Sequence, residues 1–303
     1  MQKRLVLKAV ALGTLLASGA TTAQADAAYP TRPVTLVVPF APGGGVDLMA
    51  RYFARKLEAR LGQPVVVDNK PGAGALVGSG FVAKARADGH TLLFTSVAHS
   101  INPGFYKNNI QFDSVADFAP ISLVATAPNG IAARADAPFN TLQEMLAYAK
   151  AHPEKVTYGS ISGSTTMYLG MPMLEKATGV KLRYIPYGGT MASVQAAAAG
   201  QVDLVSSGYA SSDGFAKSGR LKMLAVTSAQ PTALAPGVPT VAEAANLPGF
   251  EVVNWMGILA PAKTPAAVVQ RLNEELKRIH DDPESDAFFL SQKNSKLHST
   301  PQD

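Results

Sequence analysis

The 303 residues are 47% hydrophobic and 16% charged, which supplies a buried core and points to two domains rather than one or four. The absence of cysteine excludes disulfide scaffolds, thiolate nucleophiles, cysteine–zinc sites and iron–sulfur centres. Three of the 27 basic residues (Lys3, Arg4, Lys8) and no acid lie in the first 25 residues, so the remainder carries 24 basic against 22 acidic residues, a charge of +2 that argues against nucleic acid or an anionic membrane as partner.

Residues 1–25 read as a secretory signal peptide: a basic start, an apolar run over 6–20 that is short for a membrane span, then the small-x-small pattern Ala23-Gln24-Ala25. Cleavage near Ala25 and a periplasmic location are expected. The stretch 34–38 is a β-rich run ending at Pro39, followed by the turn P-G-G-G at 42–45. Val46, Met49, Phe53, Leu57 and Leu61 then recur at helical spacing, with Gly62 as the stop. A strand is predicted over 65–67, a Gly/Ala loop over 71–74, a helix to about 87 and a strand over 91–95. This alternation implies parallel strands with right-handed crossovers.

The second half repeats the style. Thr141 and Glu144 form a capping-box pattern opening a helix to about 151. Strands are predicted over 156–158, 182–185, 202–205 and 222–227, with a helix over 192–199. Thr264-Pro265 opens a last helix to about 280. Two Ser/Thr/Gly stretches, 159–166 and 206–212, are predicted as strand-to-helix loops.

In open parallel sheets ligands sit beyond the C-terminal strand ends. The turns at 42–45, 159–166 and 206–212 are small and polar there, so backbone amides and the hydroxyls of Ser160, Ser162, Ser164, Thr165 and Thr166 point to a carboxylate held without fixed cations. A plain tight turn stays open for 42–45, and Asp47 suits a helix cap or a ligand contact. No Gly-Lys-Ser/Thr follows the glycines, and G-S-I-S-G at 159–163 is not a nucleophile elbow. The histidines His90, His99, His152, His280 and His298 form no metal-spaced pair, so neither metal nor cofactor is expected. His99 is placed to face a cleft, or else is a satisfied structural histidine. Trp255 and Met256 read as core, and Met167 as helix packing or a ligand-facing residue.

Ten stretches in order resemble the Bug-type solute-binding receptors of tripartite tricarboxylate transporters: YPTRPVTLVVPFAPGGGVD (29–47), DNKPGAG (68–74), ADGHTLLFTS (87–96), INPGFY (101–106), DFAPISLVA (117–125), KATGV (176–180), IPYGG (185–189), GQVDL (200–204), LAVTS (224–228) and GVPTVAEA (237–244). The resemblance implies a monomeric, non-enzymatic, two-domain α/β periplasmic-binding-protein fold of type II-like form. Each domain would be a mixed, mostly parallel sheet flanked by helices, with the ligand in the interdomain cleft. It implies crossings near 124–128 and 225–228, hence a first domain of 26–125 plus 227–303 and a second of 126–226. It implies capture of a small carboxylate by domain closure, and delivery to membrane permease subunits. A ligand-sensing receptor for a signalling system and a secreted hydrolase are the alternative readings.

Carried over by position, one carboxylate falls to Phe40, Ala41, Gly43 and Gly44, in part through bound water. Ala73, Ser96 and His99 join them from the first domain; Ser160, Ser164, Thr165, Thr166 and Ser207 face them from the second. Two departures bear on the ligand. Tyr168 stands where members often carry His, and Ser207 where many carry Asp. Serine supplies no charge for a ligand ammonium, so a dicarboxylate or aromatic carboxylate is expected rather than an amino acid, with Tyr168 and Tyr209 as flat apolar area. Members usually continue past the position of Ser299-Thr300-Pro301-Gln302-Asp303 into a further helix. This predicts reduced stability and poor packing of residues 284–303.

Overall fold

The computed structural model describes residues 29–106, 110–161 and 165–303; the expected signal segment, Ser162 and Ser164 lie outside the described residues. The chain opens with β1 (Val34–Val38), α1 (Gly45–Leu61), β2 (Val65–Asn69), a short turn of 3-10 helix (Ala73–Ala75), α2 (Leu76–Ala83), β3 (Thr91–Ser96) and α3 (Ala98–Phe105). Leu36, Val37 and Val38 have no exposure, because β1 is the middle strand of β2–β1–β3, parallel on both sides and covered on both faces. The apolar stripe of α1 lands on one of those faces, and Gly62, at φ 68°, ends the helix by donating to the Glu58 carbonyl.

Next comes β4 (Phe118–Arg134), a 17-residue strand that the sequence does not announce. It carries Pro120 and Pro128, and proline inside a strand argues against strand. The structure accommodates Pro120 next to a register shift and sets Pro128 where β4 leaves one sheet for the other. Then follow α4 (Leu142–Ala151), β5 (Thr157–Ile161), α5 (Thr166–Thr178), β6 (Arg183–Tyr187), α6 (Thr190–Ala198), β7 (Leu204–Gly208), α7 (Tyr209–Lys217) and β8 (Leu221–Val226). The predicted loops at 159–166 and 206–212 are shorter than expected. Gly159–Ile161 continues β5 beside β6, and residues 206–208 pair with β4 before α7 begins at Tyr209. The chain ends with α8 (Val241–Ala244), β9 (Val253–Pro261), α9 (Ala266–Asp281), α10 (Glu284–Ser291) and β10 (Ser295–Lys296).

Two lobes result. In the first, β9 runs antiparallel between β3 and the start of β4; in the second, β5 is parallel to β6 and β7, and the end of β4 is antiparallel to β7 and β8. One core gathers Leu36, Phe53, Phe94, Ile258, Leu276 and Phe289; the other gathers Ile131, Phe139, Leu142, Tyr158, Leu174 and Leu224. Val241, Phe250 and Val252 pack into the second core. The expectation of poor packing after 284 is corrected. Phe289 is 2% exposed in the first core, Phe288 stacks on Tyr52 at 3.9 Å, and Ser299 Oγ accepts from the Leu123 amide at 2.9 Å.

Candidate functional site

The ends of β1, β3 and β5 and the loop after β2 converge on a cavity of about 220 Å³ between the lobes. The first lobe lines it with Phe40, Gly74, Ser96, Val97 and Ala98, the second with Thr165, Thr166 and Met167; Asn254 of β9 completes it. No lysine, arginine, aspartate or glutamate is among these nine residues. Two helices begin here. Ala98 opens α3 and Thr166 opens α5, and the first amides of a helix have no acceptor within it. Thr165 caps α5, its hydroxyl accepting from the Tyr168 amide at 3.2 Å.

Side chains outside the cavity hold its walls. Asn69 Nδ2 donates to the Phe40 carbonyl at 3.1 Å and to Asp47 Oδ1 at 2.8 Å. Asp47, 1% exposed, also accepts on Oδ2 from the Gly43 amide at 2.8 Å and Arg51 Nε at 2.9 Å. Burial pushes the Asp47 carboxyl up, but the bonds from Arg51, Gly43 and Asn69 outweigh it and hold the group below the ordinary aspartate value. Asp47 thus braces the glycine turn from within the first turn of α1. Asn102 Nδ2 donates to the Gly74 carbonyl at 2.7 Å, between Ala73 and Ala75, whose φ angles of 45° and 81° are strained for alanine. In the second lobe, Ser206 Oγ donates to the Met167 carbonyl at 2.7 Å, and Ser160 Oγ to the Ser206 carbonyl at 3.0 Å.

Four predicted residues therefore share the cavity: Phe40, Ser96, Thr165 and Thr166. Ala41, Gly43 and Gly44 are exposed on the turn beyond Phe40. Ala73 lines a neighbouring groove with Leu76 and Tyr106. His99 lies within the first lobe with its Nε2 at 2.8 Å from the Ser114 carbonyl, and burial pushes its pKa down. Ser160 is buried on its bond to Ser206, and Ser207 is buried with its hydroxyl 2.6 Å from that of Ser212. Ser164 lies outside the described residues. Tyr168 packs on Tyr184 with centroids 5.1 Å apart, and Tyr209 donates to Asp213 at 2.9 Å; neither lines the cavity. Burial, with the Asp213 carboxylate beside it, pushes the Tyr209 hydroxyl up to about 12. Val97, Ala98 and Asn254 are lining residues that the sequence did not suggest. Asn254 sits in an apolar run that becomes β9, and only the pairing of β9 with β4 turns it toward the lobe junction.

Such a lining suits an anion that brings its own charge. Each helix start favours a negative group by about 0.3–1 kcal/mol, and each hydrogen bond to an ionised oxygen contributes about 1.5–3 kcal/mol.

Residues 49–301 match the model of the tripartite tricarboxylate transporter family receptor, TctC. A UPF0065 protein encoded in a tcbD–tcbE intergenic region of Pseudomonas sp. is 39% identical over 282 residues, covering 93% of this chain and 83% of that protein. Among solved structures, the periplasmic binding protein BugD is 36% identical with a TM-score of 0.69, covering 90% of this chain and 92% of that one. An R. palustris protein solved with adipate is 30% identical with a TM-score of 0.71, covering 91% and 92%. These neighbours carry the same two-domain α/β periplasmic-binding-protein fold, and the chain belongs to the TctC/Bug family of tripartite tricarboxylate transporter solute-binding receptors.

Proposed function

We propose that this chain is an exported, periplasmic binding protein that captures a small carboxylate between its lobes and delivers it to the membrane permease of a tripartite tricarboxylate-type transporter. The observation that carries the reading is the cavity lined from both lobes by hydroxyls, an amide side chain and two helix starts, with no charged side chain. A ligand that arrives as an anion needs no countercharge if several fixed donors meet it. The relative solved with adipate favours a dicarboxylate, and the cavity lining offers no carboxylate to an amino group.

In this account Phe40, Ser96, Thr165, Thr166 and Asn254 meet the ligand directly. Ala41, Gly44 and Ala73 bring backbone amides to it as the lobes close, Gly43 shapes the turn with its own amide held on Asp47, and Ser164 is kept as a contact on the resemblance alone. His99, Ser160 and Ser207 support the wall from behind. The two lobes divide the chain near Pro128, and the return crossings run past Thr227 and Val252. Binding rather than turnover is the activity in this reading, as in the receptor family; His99, the histidine predicted at the cleft, sits against the Ser114 carbonyl.

A thermal-shift screen of mono-, di- and tricarboxylates, including aromatic acids and amino acids, tests the reading. Millimolar ligand at micromolar affinity stabilises by about 4 kcal/mol. A plain diacid or aromatic acid is expected to give the largest shift. Tighter binding of aspartate or glutamate than of any plain acid contradicts the assignment of ligand class, and silence to every acid contradicts the function.

A further inference from the structure

Three segments pass side by side between the lobes: β4 at Asn129, the chain after β8 at Thr227, and the approach to β9 at Val252. One buried polar knot ties them. The Asn129 amide donates to Thr227 Oγ1 at 3.0 Å and Asn129 Nδ2 to the Val252 carbonyl at 2.9 Å. Thr227 Oγ1 donates to the same Val252 carbonyl at 2.6 Å. The Thr227 amide donates to the Asn129 carbonyl at 3.0 Å, and the Val252 amide to the Thr227 carbonyl at 2.9 Å. Asn129 and Thr227 are each 2% exposed.

The remaining polar atom of that side chain, Asn129 Oδ1, faces Thr166 Oγ1 at 3.5 Å. Thr166 lines the cavity; Asn129 does not. A threonine hydroxyl has one proton to donate. At 3.5 Å the bond to Asn129 is long and weak, whereas an ionised oxygen in the cavity is a stronger acceptor. The proton serves one or the other.

We propose that Asn129 is a positioning residue that carries occupancy of the cavity to the crossing between the lobes. A bound carboxylate accepts the Thr166 hydroxyl's hydrogen bond in place of Asn129 Oδ1, with the proton staying on Thr166, and leaves the Asn129 side chain tethered to Val252 alone. The direction of this effect rests on the carboxylate reading above.

The test follows the side-chain amide resonance of Asn129 in protein labelled with 15N-asparagine. Thr166→Val, of nearly the same shape, is expected to shift it, and Thr166→Ser, which keeps the hydroxyl, to hold it at the wild-type position. The Asn273 side-chain amide, bonded to the Ile121 and Ser299 carbonyls, is the control and stays in place. Adipate, used as the probe, is expected to move the wild-type Asn129 resonance in the direction of Thr166→Val and to leave that variant unchanged. An Asn129 resonance indifferent to Thr166→Val, or an Asn273 resonance that moves with it, overturns the proposal. If adipate disturbs no resonance of the wild type, that result counts against a diacid ligand, while the ligand-free Thr166→Val comparison still decides the coupling.

Discussion

On the first lobe the backbone around the cavity is held by remote side chains: Asp47, Asn69 and Asn102 fix the Gly43 amide and the Phe40 and Gly74 carbonyls. On the second lobe the wall is the hydroxyl side chains themselves, Thr165 and Thr166, set by the start of α5. The first arrangement needs glycine for its turn and a buried charge to keep it still; the second needs only a helix and its cap. Damage to the first wall should therefore appear as lost stability before lost binding, and damage to the second as lost binding with a smaller stability cost.

The largest effect is expected from Asp47→Ala. It removes the acceptor of the Gly43 amide and one of the two acceptors of Asn69 Nδ2, while the half-exposed Arg51 rehydrates. A loss of about 2–4 kcal/mol follows, measurable by urea unfolding. The Asp47 pKa is depressed on folding, so its contribution is full at neutral pH and fades as pH falls through a folded value below 3.8. Asp47→Asn should flatten that part of the acid unfolding curve, and an unchanged curve would show that the brace is not electrostatic.

Gly78→Ala comes next. A Cβ at Gly78 would lie 2.8 Å from Pro39 Cβ, 2.9 Å from Pro39 Cα and 3.0 Å from the Lys70 carbonyl. Overpacking of α2 against backbone costs about 1–3 kcal/mol. It should also displace Phe40, and wild-type stability would show that α2 is free to slide.

The third pair compares two caps. Thr165→Ala and Thr141→Ala each remove a threonine cap, from α5 and α4 respectively, at about 0.5–2 kcal/mol. Thr165→Ala should also weaken acid binding, because Thr165 lines the cavity; Thr141→Ala should leave affinity unchanged. Equal affinities would remove Thr165 from the site.

The elements legible in the sequence are those whose local pattern agrees with their tertiary setting. The β-run at 34–38, the stripe of α1 and its Gly62 stop, and the Thr141 cap all behave so. β4 was hidden because Pro120 and Pro128 contradict a strand locally, and only pairing with β7, β8 and β9 overrides them. Residues 206–212 looked like a loop because serine and glycine favour neither strand nor helix; β4 supplies the strand partner that sequence cannot show. The Thr165–Thr166 side of the site was readable as hydroxyls at a helix start. Asn254 was not, since its neighbours in sequence are apolar and its neighbours in space come from both lobes.

The central claim is that uncharged groups clasp an acid that carries its own charge. Titration calorimetry with adipate and with its neutral diamide tests it most directly. The account predicts micromolar binding of the diacid, about −8 kcal/mol, and at least a hundredfold weaker binding of the diamide. Equal affinity for the two, or heat from the diamide alone, would contradict it.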